Sequence, residues 1–97
     1  MIYTIHTDDV YPRPAFRMFG TATSFRELAF LQARAAMNSQ SDYERTEFVY
    51  ILEIAPGERP KLIAAWRTED GGESYRETDR VQVLGGAIEV GGVGYEP

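Results

Sequence analysis

One stretch of this chain, Thr23 to Asn38 (TSFRELAFLQARAAMN), carries a strong helix signal, and everything around it reads as strand or turn. Ser24 fits the N-cap, because its hydroxyl can accept a bond from an unpaired backbone N–H. Glu27, three residues on, completes a capping box and suits the positive end of the helix dipole. Ala33, Ala35 and Ala36, with two Leu and no Gly or Pro, give high helix propensity. Asn38, followed by Ser39-Gln40-Ser41-Asp42, ends the segment, since Asn tolerates a left-handed cap.

At the helical period, Phe25, Leu28, Ala29, Leu31, Gln32, Ala35 and Ala36 share one broad face. Glu27, Arg34 and Asn38 form a narrow polar stripe opposite. The small residues Ala29 and Ala36 let the helix lie close to a sheet. Phe30, Ala33 and Met37 form a second apolar stripe, which a one-sided surface helix does not need. Either a loop or the N-terminal segment covers Phe30 and Met37, or they face a second protein chain.

The strands follow from periods of two and from turn residues. Met1 to Thr7 is a first strand, broken by Asp8-Asp9, and Tyr11-Pro12-Arg13-Pro14 is a loop. Ala15 to Phe19 is a second, closed by Gly20. Tyr43 to Ala55 is the clearest strand, with Phe48, Tyr50, Leu52 and Ile54 on an apolar face and Glu47, Val49, Ile51 and Glu53 on a mixed one. The apolar face is expected to meet the helix. Pro56-Gly57-Glu58-Arg59-Pro60 turns the chain into Lys61 to Thr68, with Leu62, Ala64 and Trp66 in one core-facing row. Asp70-Gly71-Gly72 marks a hairpin into Glu73 to Leu84, where Glu77 and Asp79 interrupt the face of Tyr75, Val81 and Val83, so a bulge or bend is expected near Thr78-Asp79. Gly85-Gly86 turns into a short last strand, Ala87 to Val90.

The order β-β-α-β-β-β-β predicts an α+β fold, one main helix packed on an antiparallel sheet in two layers. Parallel architectures lack the crossover helices they would need. The 97 residues fit a single domain, 1–97, with a Gly-rich tail at 91–97 expected to fray.

Composition narrows the chemistry. There is no Cys, so disulfides, thiolate metal sites and a cysteine nucleophile are excluded, and a cytoplasmic location is expected. No basic-then-apolar leader and no run of 18 apolar residues is present, so neither a signal peptide nor a membrane span is expected. The net charge of −5, from 15 acids against 10 bases, argues against direct nucleic-acid binding. The bases are nearly all Arg, a flavour that fits a bacterial or phage source. His6 is the only histidine. With Asp8 and Asp9 it forms H-x-D-D, but strand alternation sends the two acids to opposite faces, so no metal, cofactor or catalytic residue is expected. The Gly pairs open no helix and precede no Lys-Ser/Thr, so they are turns rather than phosphate loops.

The densest acidic run, Glu69, Asp70, Glu73, Glu77 and Asp79, either protects a sheet edge or docks on a basic surface of a protein partner, such as one in a nucleic-acid-binding complex. With Phe30 and Met37 it makes the candidate partner-binding set of a small acidic inhibitor or adaptor. In general type, though through no motif, such a chain is similar to phage and mobile-element proteins that block host defence complexes, anti-CRISPR proteins among them. Two other readings stand beside this one. The first is a ligand-binding or enzymatic domain with a pocket between helix and sheet. The second is a structural homodimer subunit joined through Phe30, Met37 or an open sheet edge.

Overall fold

The computed structural model describes residues 1–11, 15–38, 45–69, 74–83 and 86–92. It has one helix packed on a five-stranded antiparallel sheet. The strands are β1 (Ile2–Tyr11), β2 (Ala15–Thr23), β3 (Arg45–Ile54), β4 (Lys61–Glu69), β5 (Ser74–Thr78), β6 (Arg80–Val83) and β7 (Gly86–Glu89), and helix α1 is Arg26–Asn38. The main sheet runs β2-β1-β3-β4-β5, and β6 pairs with β7 in a separate ribbon. The bend expected near Thr78-Asp79 splits the long stretch into β5 and β6. The tail expected to fray lies outside the described residues from position 93 on. Gly91 and Gly92 are held, since Gly91 N–H donates to Leu62 O at 2.7 Å and Leu62 N–H donates to Gly92 O at 3.1 Å. β5 pairs with β4 only from Ala65 onward, so this segment serves the edge that β5 leaves bare.

Three local expectations change. Asp8 and Asp9 do not end β1, which continues to Tyr11 with register shifts between Asp8 and Asp9 and between Asp9 and Tyr11. Gly20 does not end β2. Tyr3 and Ile5, two apart, face Thr23 and Phe19, four apart, so β2 carries extra residues there, and Gly20 takes φ 69° within the irregularity. The helix starts later than Ser24 implies. Ala29 N–H donates to Phe25 O at 3.1 Å, which puts Phe25 at the cap position, and Thr23 Oγ1 accepts from Phe25 N–H at 3.1 Å. The turn after β3 is as expected. Glu58 N–H donates to Ala55 O at 3.1 Å around Pro56 and Gly57, and Gly57 has φ 76° at the third position, the pattern of a type II turn.

The core has two parts, one on each face of the sheet. Under the helix, Tyr3, Ile5, Val49, Ile51 and Ala64 meet Ala29, Ala33 and Ala36, with Phe19, Phe30, Met37, Ile63, Trp66 and Tyr75 packed around them. On the other face, Phe48, Tyr50, Leu62 and Ala65 meet Val81 of β6, with Leu52 alongside. The helix therefore lies on the mixed face of β3, not on the row of Phe48, Tyr50 and Leu52. The acids of that mixed face sit at its rim beside arginines: Glu53 meets Arg26 at 3.8 Å and Glu47 meets Arg67 at 3.7 Å. The row Leu62, Ala64 and Trp66 also divides. Ile51 faces Ala64 while Leu52 faces Leu62, so one extra residue of β4 bulges out and the side chains before and after it point to opposite faces.

Candidate docking surface on the outer helix face

The helix touches the sheet through alanines. Ala29, Ala33 and Ala36 are buried, and so small a stripe brings the helix axis close to the strands. Phe30 and Met37 flank this stripe, half-buried. Phe30 sets its ring edge-on to Trp66, with centroids 5.9 Å apart and an interplanar angle of 86°, and Arg26 lies over it at 5.4 Å. The larger apolar residues of the broad face are left in water. Phe25 is 70% exposed, Leu28 43% and Leu31 58%, and Ala35 is exposed beside them. Ala29 and Ala36 thus face the sheet as expected and Glu27, Arg34 and Asn38 face water, but Leu28, Leu31 and Ala35 of the expected inner face are left outside while Ala33 of the second stripe is buried. A helix pressed onto a sheet by alanines is one whose bulky apolar residues have no room inside.

Beside this stripe is an open groove of about 410 Å³ lined by Arg26, Glu27, Phe30, Leu31 and Arg34. Its floor is apolar and its rim carries both signs of charge. Arg26 reaches Glu53, whereas Glu27 and Arg34 have no ion-pair partner among the described residues.

The acidic candidates are partly described. Asp70 and Glu73 lie outside the described residues, and Glu69 closes β4 opposite Ser74. Glu77 and Asp79 are exposed and come together on one depression of about 480 Å³, with Ile63, Ala64, Thr78 and Val90. Arg80, which follows Asp79, pairs with Glu89 at 2.9 Å.

His6 faces away from the helix. Its ring stacks on Tyr50, with centroids 5.3 Å apart and an interplanar angle of 17°, and Nε2 shares a hydrogen bond with Thr4 Oγ1 at 2.8 Å. Burial lowers its pKa below the ordinary 6.5. No group of three or more His, Asp or Glu among the described residues is placed to hold a metal ion. No helix among them is long and apolar enough to cross a membrane. Compared with known proteins, the chain matches no family model, no curated protein and no solved structure.

Sequence reasoning missed Leu28, Leu31 and Ala35 as surface residues. Ala29 and Ala36 were read as the residues of close approach, and the further signal was Ala33, which completes that stripe at helical spacing.

Proposed function

We propose that this chain is a protein-binding module, an inhibitor or adaptor, that docks through the outer face of α1. The observation that carries this is the exposure of Leu28 and Leu31 on α1, with Phe25 exposed at its N-cap. An apolar cluster of that kind costs free energy in water unless a partner covers it. Its polar rim of Arg26, Glu27 and Arg34 is the usual surround of a protein contact. A protein that inhibits by occluding a partner's surface needs such a face and no reaction centre.

A second contact is favoured by Glu77 and Asp79, which are exposed side by side at one depression. Their charge fits a basic protein surface, such as one in a nucleic-acid-binding complex.

Affinity capture from a bacterial lysate tests the reading with three forms: wild type, Leu28→Glu with Leu31→Glu, and Glu77→Arg with Asp79→Arg. Circular dichroism checks that all three are folded. A stoichiometric partner lost only from the helix variant is the expected result. Loss only from the acid variant transfers docking to the Glu77–Asp79 rim. A partner kept by both variants overturns the reading.

A further inference from the structure

We propose that the outer face of α1 pairs with the same face of a second copy of this chain, the two helices antiparallel about a twofold axis. The inference rests on the docking reading above and names what covers the face when no other protein is bound to it. The outer stripe has coiled-coil spacing. Leu28, Leu31 and Ala35 recur at intervals of three and four, the positions conventionally labelled a, d and a. Glu27 and Arg34 then fall one heptad apart on a single flank, each just before an a position. Antiparallel helices bring like flanks together, so acid and base on one flank become partners across a twofold axis.

The registers agree with one another. Setting Leu28 of one copy against Leu31 of the other creates two equivalent leucine layers. The same setting places Glu27 beside Arg34 of the second copy, twice. The opposite flank carries Gln32, whose amide bonds to Thr21 of β2, so the charged pairs lie on the flank away from β2. One register therefore satisfies the apolar stripe and both charges, and Glu27 and Arg34 are exposed and have no ion-pair partner within the monomer among the described residues. An isologous contact needs this self-complementarity.

The contact is small. A helix of 13 residues is about 20 Å long and supplies only two leucine layers, below the roughly 1,200 Å² of a standard interface. The dimer is therefore concentration-dependent.

Analytical ultracentrifugation across a concentration series tests this, with circular dichroism to confirm folding. The wild type is expected to shift from monomer to dimer. Glu27→Arg and Arg34→Glu each turn two attractive pairs into two repulsive ones and should weaken association roughly five- to thirtyfold. The double variant E27R/R34E restores the pairs and should recover most of the wild-type affinity. An equimolar mixture of the two single variants should form a heterodimer. Net charge alone predicts something else, because E27R replaces one acid by one base and takes the chain from −5 to −3, which by repulsion alone would strengthen association. A wild type that stays monomeric into the millimolar range overturns the proposal. So does a dimer that gains from E27R, or one indifferent to both reversals. A monomeric wild type that still loses a captured partner on Leu28→Glu with Leu31→Glu overturns the second copy as occupant and leaves the docking reading standing. A monomer that loses no captured partner in that variant ends both.

Discussion

At the residue scale, Gly20 and Gln32 act as one unit. Gln32 Oε1 accepts from Thr21 N–H at 2.9 Å, and Gln32 Nε2 donates to Thr21 O at 3.0 Å, so a helix side chain serves the backbone of β2 where its register is irregular. A Cβ on Gly20 would lie 2.0 Å from Gln32 Oε1, and the φ of 69° is strained for any L side chain. Gly20→Ala is expected to cost about 2 kcal/mol, half from backbone strain and half from displaced hydrogen bonds. In a Gln32→Ala background the same change should cost only about 1 kcal/mol, and urea denaturation of the four proteins reads the difference. His6 makes a second prediction at this scale. Its native pKa is lowered by burial, so the unfolded chain takes up the proton first as pH falls. Its contribution to stability is complete above the unfolded value of 6.5 and is lost as pH drops from there through the lowered native pKa. Comparing unfolding midpoints at about pH 7.5 and about pH 5.5, wild type should lose more than His6→Gln. Equal losses would show that other groups carry the dependence. Neither device was legible in the chain, because Gln32 and Thr21 are 11 residues apart and the burial of His6 comes from Tyr50 on another strand.

At the element scale, α1 was legible in place and extent, but not in orientation. Its propensity and spacing are local properties, whereas the face it buries depends on how near the sheet it can lie. Alanine permits the closer approach, and the sheet offers β-branched Ile5, Val49 and Ile51 to meet it. The energetic consequence inverts the usual ranking of Leu over Ala in a core. Ala33→Leu, at a site with no exposure, should destabilise by about 1–3 kcal/mol through overpacking. Leu31→Glu should change stability by no more than about 0.5 kcal/mol. Thermal melts of the two variants decide the matter, and the opposite order would mean that the leucine face is the buried one. β4 offers a parallel case. Its apolar residues were legible, but the bulge beside Leu62 was not, and one extra residue is enough to send Leu62 and Ala64 to different faces.

At the scale of the whole molecule, the sheet is buried on both faces by different means, a helix on one and a β-ribbon on the other. Val81 is the described side chain that ties the ribbon to Phe48, Tyr50, Leu62 and Ala65, and it is fully buried. Val81→Ala should lower stability by about 1–3 kcal/mol, the range for deleting buried methyl groups. Amide exchange should speed up first in β6 and β7, whose backbone ties to the body include the bonds of Gly91 and Gly92 with Leu62 of β4. Uniform acceleration across all strands would instead place the ribbon in the same cooperative unit as the main sheet. The candidate docking face also belongs to this scale. It exists only because the helix turns its leucines outward, a fact about the assembled layers.

The sequence by itself determined what depends on neighbours along the chain. That covers the main helix, the succession of strands before and after it along the chain, the Pro56-Gly57 turn and the bend after Thr78, because propensity, side-chain period and turn chemistry act over a few residues. Only the tertiary structure decided which face of β3 the helix covers, where the bulges fall and which apolar residues are left in water. Those outcomes depend on distances between elements far apart in sequence. Both faces of α1 and much of both faces of β3 are apolar enough to be buried, so hydrophobicity alone is nearly indifferent between them. The choice falls to packing, and the alanine stripe makes it by allowing the closest approach.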